Sequence, residues 1–80
     1  IDANNVPEKY QTILKNLGAA YTLSRMTGIG VDFDYSLGTF RVIKGRRDDP
    51  NTKQMEFFLN QVNLSLKYVG TRIPFRATFL

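Results

Sequence analysis

Two runs of strictly alternating apolar and polar residues constrain most strongly which fold this chain can adopt. Residues 29–37 read IGVDFDYSL, and residues 62–68 read VNLSLKY. Successive side chains of an extended strand point to opposite faces, so alternate residues share a face. Both runs therefore predict β-strands, each with one apolar and one polar face.

The two runs can be paired as an antiparallel hairpin in one register. Placing Ile29 opposite Tyr68 keeps the apolar side chains of both runs on one face, whereas a slip by one residue would separate them. Beyond these runs the apolar residues change face near Gly38, which predicts a bend or a bulge. The resulting prediction is two long strands, over residues 29–43 and 55–68, joined by an exposed loop over residues 44–53.

The residues before the first run support two interpretations. Asn5 is a suitable N-cap, and the apolar residues Tyr10, Ile13 and Leu17 follow at helical spacing, which predicts a helix over residues 5–17. Residues 17–23 can instead be a strand that pairs with the first run, because their apolar residues would share its face. The sequence alone leaves this choice open.

The C-terminal residues 72–79 offer a further strand. Gly70 and Thr71 suit a two-residue turn before it, and Pro74 cannot donate to a ladder, which favours an edge position. Together these patterns predict a mainly β fold, an antiparallel meander of three to four strands with a short N-terminal helix as an option. Residues 1–80 would form a single domain or a barrel segment. The apolar face would need cover from the helix, from another chain or from lipid.

One family resemblance gives the lipid option a concrete form. Residues 21–27, YTLSRMT, followed by the first run, a charged loop and residues 60–68, NQVNLSLKY, resemble the late hairpins of bacterial outer-membrane β-barrels and porins. The runs approach the ~9–11 residues of a tilted membrane-spanning strand. The resemblance implies an outer-membrane barrel component with a passive pore or structural role. Its partners would be the lipid bilayer or further β-strands from the same or another chain. A polar, lumen-like face would contain Asp32, Asp34, Lys67 and Arg76.

The charge of the chain allows an anionic partner. Eleven Lys and Arg residues outnumber seven Asp and Glu residues, for a net charge of +4. The loop at residues 44–53, KGRRDDPNTK, contributes Lys44, Arg46 and Arg47 as candidate contacts to nucleic-acid phosphate or lipid head groups. Asp48 and Asp49 follow directly and cancel two of these charges locally. Short mixed-charge runs of this kind are usually ordinary solvated connections, and this is the alternative interpretation of the loop.

A second family resemblance favours nucleic acid as the partner of this chain. Residues 36–42, SLGTFRV, then the basic loop with Pro50, and residues 73–77, IPFRA, are similar to the HU and IHF family of DNA-bending proteins. In that family a β-arm inserts a proline into the minor groove. The resemblance implies a small basic cytoplasmic nucleic-acid-binding protein that uses residues 38–58 as its β-arm and Pro50 as the wedge. The implied phosphate contacts are Arg41, Lys44, Arg46, Arg47 and Lys53.

The sequence does not predict an enzyme. It contains no His and no Cys, which removes the usual general base and the commonest metal ligand, and it has no glycine-rich phosphate loop. Asp32 and Asp34 share one strand face, but acid–base catalysis needs two groups held in different environments around a cleft. We therefore expect no catalytic residue, no metal site and no cofactor.

Overall fold

The chain folds as helix, strand, strand, helix. A computed structural model describes residues 8–69. Its elements, in chain order, are α1 (Glu8–Thr27), β1 (Gly30–Asp34), β2 (Thr39–Lys44) and α2 (Pro50–Val69). The fold class is therefore α+β, and the predicted mainly β meander of three to four strands is wrong. The predicted strand over residues 72–79 and Arg76 lie outside the described residues.

The first helix is longer than the predicted one. The prediction over residues 5–17 is confirmed from Glu8 onward, but α1 continues through residues 17–23, so the alternative strand there is wrong. The reason is that the buried residues Ile13, Leu17, Ala20 and Ser24 recur every three or four positions along one face. The helix ends at Thr27. The next residue, Gly28, has a positive φ of 77°, which suits glycine, and its N–H donates to the Ser24 carbonyl at 2.8 Å.

The predicted long strand over residues 29–43 is two strands joined by a tight turn. Asp34 starts the turn, because its Oδ1 accepts hydrogen bonds from the Ser36 and Leu37 backbone N–H groups at 2.9 and 3.2 Å. Gly38 closes it with a positive φ of 69°, and its N–H donates to the Asp34 carbonyl at 2.7 Å. The change of face near Gly38 is thus a chain reversal rather than a bend.

The two strands pair with each other in an antiparallel sheet. Val31 lies opposite Val42 and Phe33 opposite Phe40, with a register shift between Gly30 and Val31. The predicted pairing of residues 29–37 with residues 62–68 is therefore wrong. The rings of Phe33 and Phe40 make an edge contact with centroids 4.9 Å apart, so this pair forms the apolar centre of the sheet.

The predicted strand over residues 55–68 is the larger part of α2. Its buried residues Met55, Leu59, Val62 and Leu66 are spaced by four, three and four, which is the period of a helix. The helix begins at Pro50, where a missing N–H costs no intrahelical bond. Asp49 caps it, since its carboxylate accepts the Asn51 N–H at 2.9 Å.

One apolar core joins all four elements. The helices pack against each other, and α2 packs along β2. The cluster also contains Ile29, Val31, Phe33 and Phe40 from the hairpin, so the two helices supply the cover that the apolar sheet face needs. Within residues 8–69 the sheet has two strands and is open, so the predicted β-barrel segment is wrong. In the same part of the chain no helix is both long and apolar enough to cross a membrane.

A side-chain amide joins α2 to the hairpin. Asn63 accepts the Phe40 N–H at 2.8 Å through Oδ1 and donates to the Phe40 carbonyl at 3.0 Å through Nδ2. Both backbone groups of Phe40 are thus satisfied by one partly buried side chain. These two bonds fix the position of α2 along β2.

Candidate functional site

The residues predicted as a lumen-like face do not form one sheet face. Asp32 and Asp34 lie on the outer face of β1, and Lys67 lies on α2, where it is exposed. Asp32 is opposite Arg41 in the strand register, and Arg41 Nη1 lies 3.6 Å from Asp34 Oδ2. Within residues 8–69 no group of three or more His, Cys, Asp or Glu residues could hold a metal ion. Arg41 thus contacts Asp34 on the hairpin and lies opposite Asp32 in the strand register.

The Asp34 carboxylate is tied into the turn of the hairpin. The Ser36 hydroxyl donates to Asp34 Oδ1 at 2.7 Å, and this bond is the main cause that holds the pKa of Asp34 below its ordinary value of 3.8. The N–H groups of Leu37 and Ser36 and the charge of Arg41 lower this pKa further, while burial opposes them. The charged form of Asp34 is therefore the one that the folded hairpin favours.

We expect Asp34 to make folding stability depend on pH in the acid range. Because its folded-state pKa lies below its ordinary value of 3.8, which applies to the unfolded chain, its contribution is present above that pH and is lost as the pH falls through the folded-state value. Urea unfolding should thus show that Asp34→Ala is less stable than the native chain at neutral pH, with the difference shrinking below about pH 4. Ser36→Ala keeps the carboxylate but removes the main hydrogen bond. NMR titration of Ser36→Ala should show a raised Asp34 pKa, and an unchanged pKa would contradict this assignment.

Cations from separate parts of the chain meet at one end of the molecule. We call this set the basic end, and its members are Arg25, Lys44, Arg46, Arg47 and Lys53. At this end of the molecule α1 and β2 finish, and β1 and α2 begin. The junction is held by Ser24 Oγ, which donates to the Ile29 carbonyl at 2.6 Å, and by the pairing of Gly30 with Lys44. All five cationic residues are exposed.

Gly45 brings the end of β2 close to the start of α2. A Cβ atom on Gly45 would lie 3.0 Å from Thr52 Oγ1 and 3.4 Å from Ile29 Cγ2. Thr52 is buried and follows the cap of α2 by one helical turn, so the missing side chain lets the loop pass directly over the helix. This approach places Lys44 and Lys53 at the same end of the molecule.

The two aspartates of the loop neutralise the basic end only in part. Asp48 Oδ1 lies 3.9 Å from Arg46 Nε, and both side chains are more than four-fifths exposed, at 84% and 86%. A pair so exposed is weak. Asp49 caps α2 through its carboxylate, and its carbonyl accepts the Thr52 N–H at 3.0 Å. The first N–H groups of α2 are therefore occupied, and any anion at this end would meet side-chain cations.

The sequence predicts some members of the basic end and not others. Lys44, Arg46 and Arg47 are together at the basic end, as the loop pattern suggested, and Lys53 joins them from α2. Arg25 was missed, because its place at this end of the molecule depends on α1 continuing to Thr27. A basic residue in the last turn of a helix was the available signal.

The arrangement differs from the β-arm that the HU-like interpretation requires. Residues 38–58 comprise β2, a short loop and the first half of α2, so no extended arm is present there. Pro50 is the first residue of α2 and cannot act as a wedge at an arm tip. Arg41 faces Asp34 on the hairpin rather than joining the other implied phosphate contacts. Within residues 8–69, Lys44, Arg47, Lys53 and Arg25 form no ion pair.

A second surface lies on the other half of α2. An open groove of about 750 Å³ runs between the hairpin turn and α2. Its lining residues are Leu37, Gly38, Thr39, Asn60, Asn63, Leu64, Leu66 and Lys67. Leu37 and Leu64 are 73% and 55% exposed, so apolar surface is open to solvent on both sides of the groove.

Comparison of the chain with protein-family models, with curated proteins and with solved structures gives no match.

Proposed function

We propose that this chain binds the phosphate backbone of double-stranded nucleic acid, without sequence preference, through the basic end. The observation that carries the proposal is the meeting of five exposed cations from α1, β2, the 45–49 loop and α2 at one end of the fold. Phosphate contacts by Lys and Arg release counterions from the nucleic acid and supply most of the affinity in binding of this kind.

The chemistry of the basic end suits phosphate. Three of its cations are arginines, whose planar guanidinium groups bind phosphate oxygens in pairs. Arg46 forms a long and exposed ion pair with Asp48, and a phosphate could take the place of the Asp48 carboxylate. A lipid surface would normally also require apolar side chains that enter the bilayer. The exposed large apolar side chains next in sequence to these cations are only two, Met26 and Ile43, against five cations.

The proposal is tested by fluorescence anisotropy with a short labelled DNA duplex over a range of salt concentrations. We expect measurable binding at low salt. Arg47→Gln together with Lys53→Gln should weaken it equally for duplexes of unrelated sequence. The plot of log affinity against log salt should also become less steep, because roughly two phosphate contacts are lost and each contributes ~0.9 to the slope.

A matched control separates this site from net charge alone. Lys15→Gln together with Arg41→Gln removes the same charge from exposed positions outside the basic end. This control should retain most of the affinity and nearly the full salt slope. Equal losses in both double variants would contradict a site at the basic end. Binding to anionic phosphatidylserine vesicles without binding to the duplex would replace nucleic acid by a membrane surface.

A further inference from the structure

The helix α2 has apolar rows on two opposite sides. The inner row, which includes Met55 and Val62, is fully buried in the core. The outer row consists of Phe57, Leu64 and Tyr68, which are 55%, 55% and 89% exposed. Since successive helical residues are about 100° apart, the outer row lies roughly opposite the inner one. Its spacing of seven and four residues is that of a helix-packing stripe.

The outer row is suited to pack against another helix. Scattered exposed apolar residues are ordinary in proteins, but these three align over ~16 Å of one helix, at 1.5 Å per residue. Gln61 occupies the one gap in the stripe and is partly buried. Aromatic side chains such as Phe57 and Tyr68 dominate the energetics of protein interfaces when they are desolvated.

We infer that the outer row is a self-association surface on which a second copy of this chain packs its α2 antiparallel to the first. Charge complementarity identifies a second copy of the chain as the molecule that packs on the outer row. Glu56 and Lys67 are both exposed and flank the row on the same side of the helix, since eleven residues correspond to just over three whole turns. A two-fold axis through the middle of the row, between Val62 and Asn63, makes such an interface isologous.

The two-fold arrangement brings opposite charges together twice. It sets Phe57 of one copy level with Tyr68 of the other, which leaves Glu56 about two residues, or ~3 Å, from the level of the second copy's Lys67. The same contact recurs on the other side of the axis. A parallel arrangement would instead keep Glu56 level with Glu56 and Lys67 level with Lys67, so it forms no contact between opposite charges. The charges therefore select the antiparallel orientation.

Sedimentation equilibrium of the full chain over a range of concentrations tests this inference. We expect a monomer–dimer equilibrium, and Leu64→Asp should weaken dimerisation by at least about 100-fold, because it places a charge in the middle of the row. Circular dichroism should show that Leu64→Asp stays folded, since the residue is half exposed in the monomer. A chain that remains monomeric throughout would overturn the inference and would leave another segment, such as residues 70–80, to cover the row.

Charge reversal tests the orientation. Glu56→Lys alone, or Lys67→Glu alone, should each weaken the dimer by about ten-fold, because each produces two like-charge contacts. The double variant should restore dimerisation to within about three-fold of the native chain. Lys15→Glu, an exposed change of the same charge on α1, is the matched control and should have little effect. Failure of the double variant to recover would overturn the antiparallel arrangement.

Discussion

Val62→Asp is expected to unfold the chain, or to lower its free energy of unfolding by at least ~4 kcal/mol. Val62 lies on the inner side of α2, and its side chain is fully buried in the core. An aspartate there would place an uncompensated charge, or a protonated carboxyl without a hydrogen-bond partner, in an apolar site. The measurement is urea unfolding followed by circular dichroism at low micromolar concentration, where association contributes least. A chain of 80 residues has little stability to spare.

Leu64→Asp provides the matched control for this prediction. The same substitution two residues along should lower the stability of the monomer by only about 1 kcal/mol, because Leu64 is half exposed. In a strand, Val62 and Leu64 would share a face and the two substitutions would have similar effects. Similar effects would contradict the helical assignment of α2. A large difference between them is the expected result.

Asn63→Asp is expected to destabilise the fold by about 2–3 kcal/mol. The aspartate has almost the same size, and one oxygen can still accept the Phe40 N–H. Its second oxygen would face the Phe40 carbonyl, however, so a hydrogen bond is replaced by repulsion between two acceptors. Urea unfolding at neutral pH measures the change. The loss should diminish as the pH falls toward the pKa of the introduced carboxyl, since the protonated form of that group can donate a hydrogen bond again.

Asn60→Asp is the control for Asn63→Asp. Asn60 is exposed on the same helix one turn earlier, so the same chemical change there should cost less than about 0.5 kcal/mol. Equal losses at both positions would mean that helix propensity or net charge explains the effect. In that case the Asn63 amide would not be what joins α2 to β2.

Part of the fold is readable from the sequence. The first alternating run does contain a strand, β1, and the helical spacing in residues 10–17 does belong to α1. The strand prediction for the second run is wrong for a physical reason. Residues two apart on a helix lie about 200° apart, so a helix with apolar rows on opposite sides also alternates. Val62 and Leu66 belong to the buried row, and Leu64 and Tyr68 to the exposed one.

The hairpin turn also has a signal in the sequence. Asp34 followed by Ser36 and Gly38 is a usable turn pattern, because Asp caps a turn and Gly takes the positive φ. Pairing the first run with the second assigns Gly38 to a bulge instead and hides this pattern. Once residues 62–68 are helical, the apolar face of β1 needs another partner, and β2 is the nearest in sequence.

The candidate site was readable only where its residues are neighbours in sequence. Lys44, Arg46 and Arg47 stand close together in one loop, so composition alone marks them. Arg25 joins them through the end of α1 and the Ser24–Ile29 contact, which depend on tertiary structure. Its role could not be assigned before the length of α1 was known.

The contact between Asn63 and Phe40 also decides where the sheet ends. A two-stranded sheet leaves backbone groups on its outer edges, where a strand from another chain can add and begin a growing assembly. At Phe40 the amide of Asn63 makes the same two hydrogen bonds that an incoming strand would make. A foreign strand must displace this side chain, together with the helix that carries it, before it can extend the ladder. The fold thereby protects its own β2 edge against aggregation at that point.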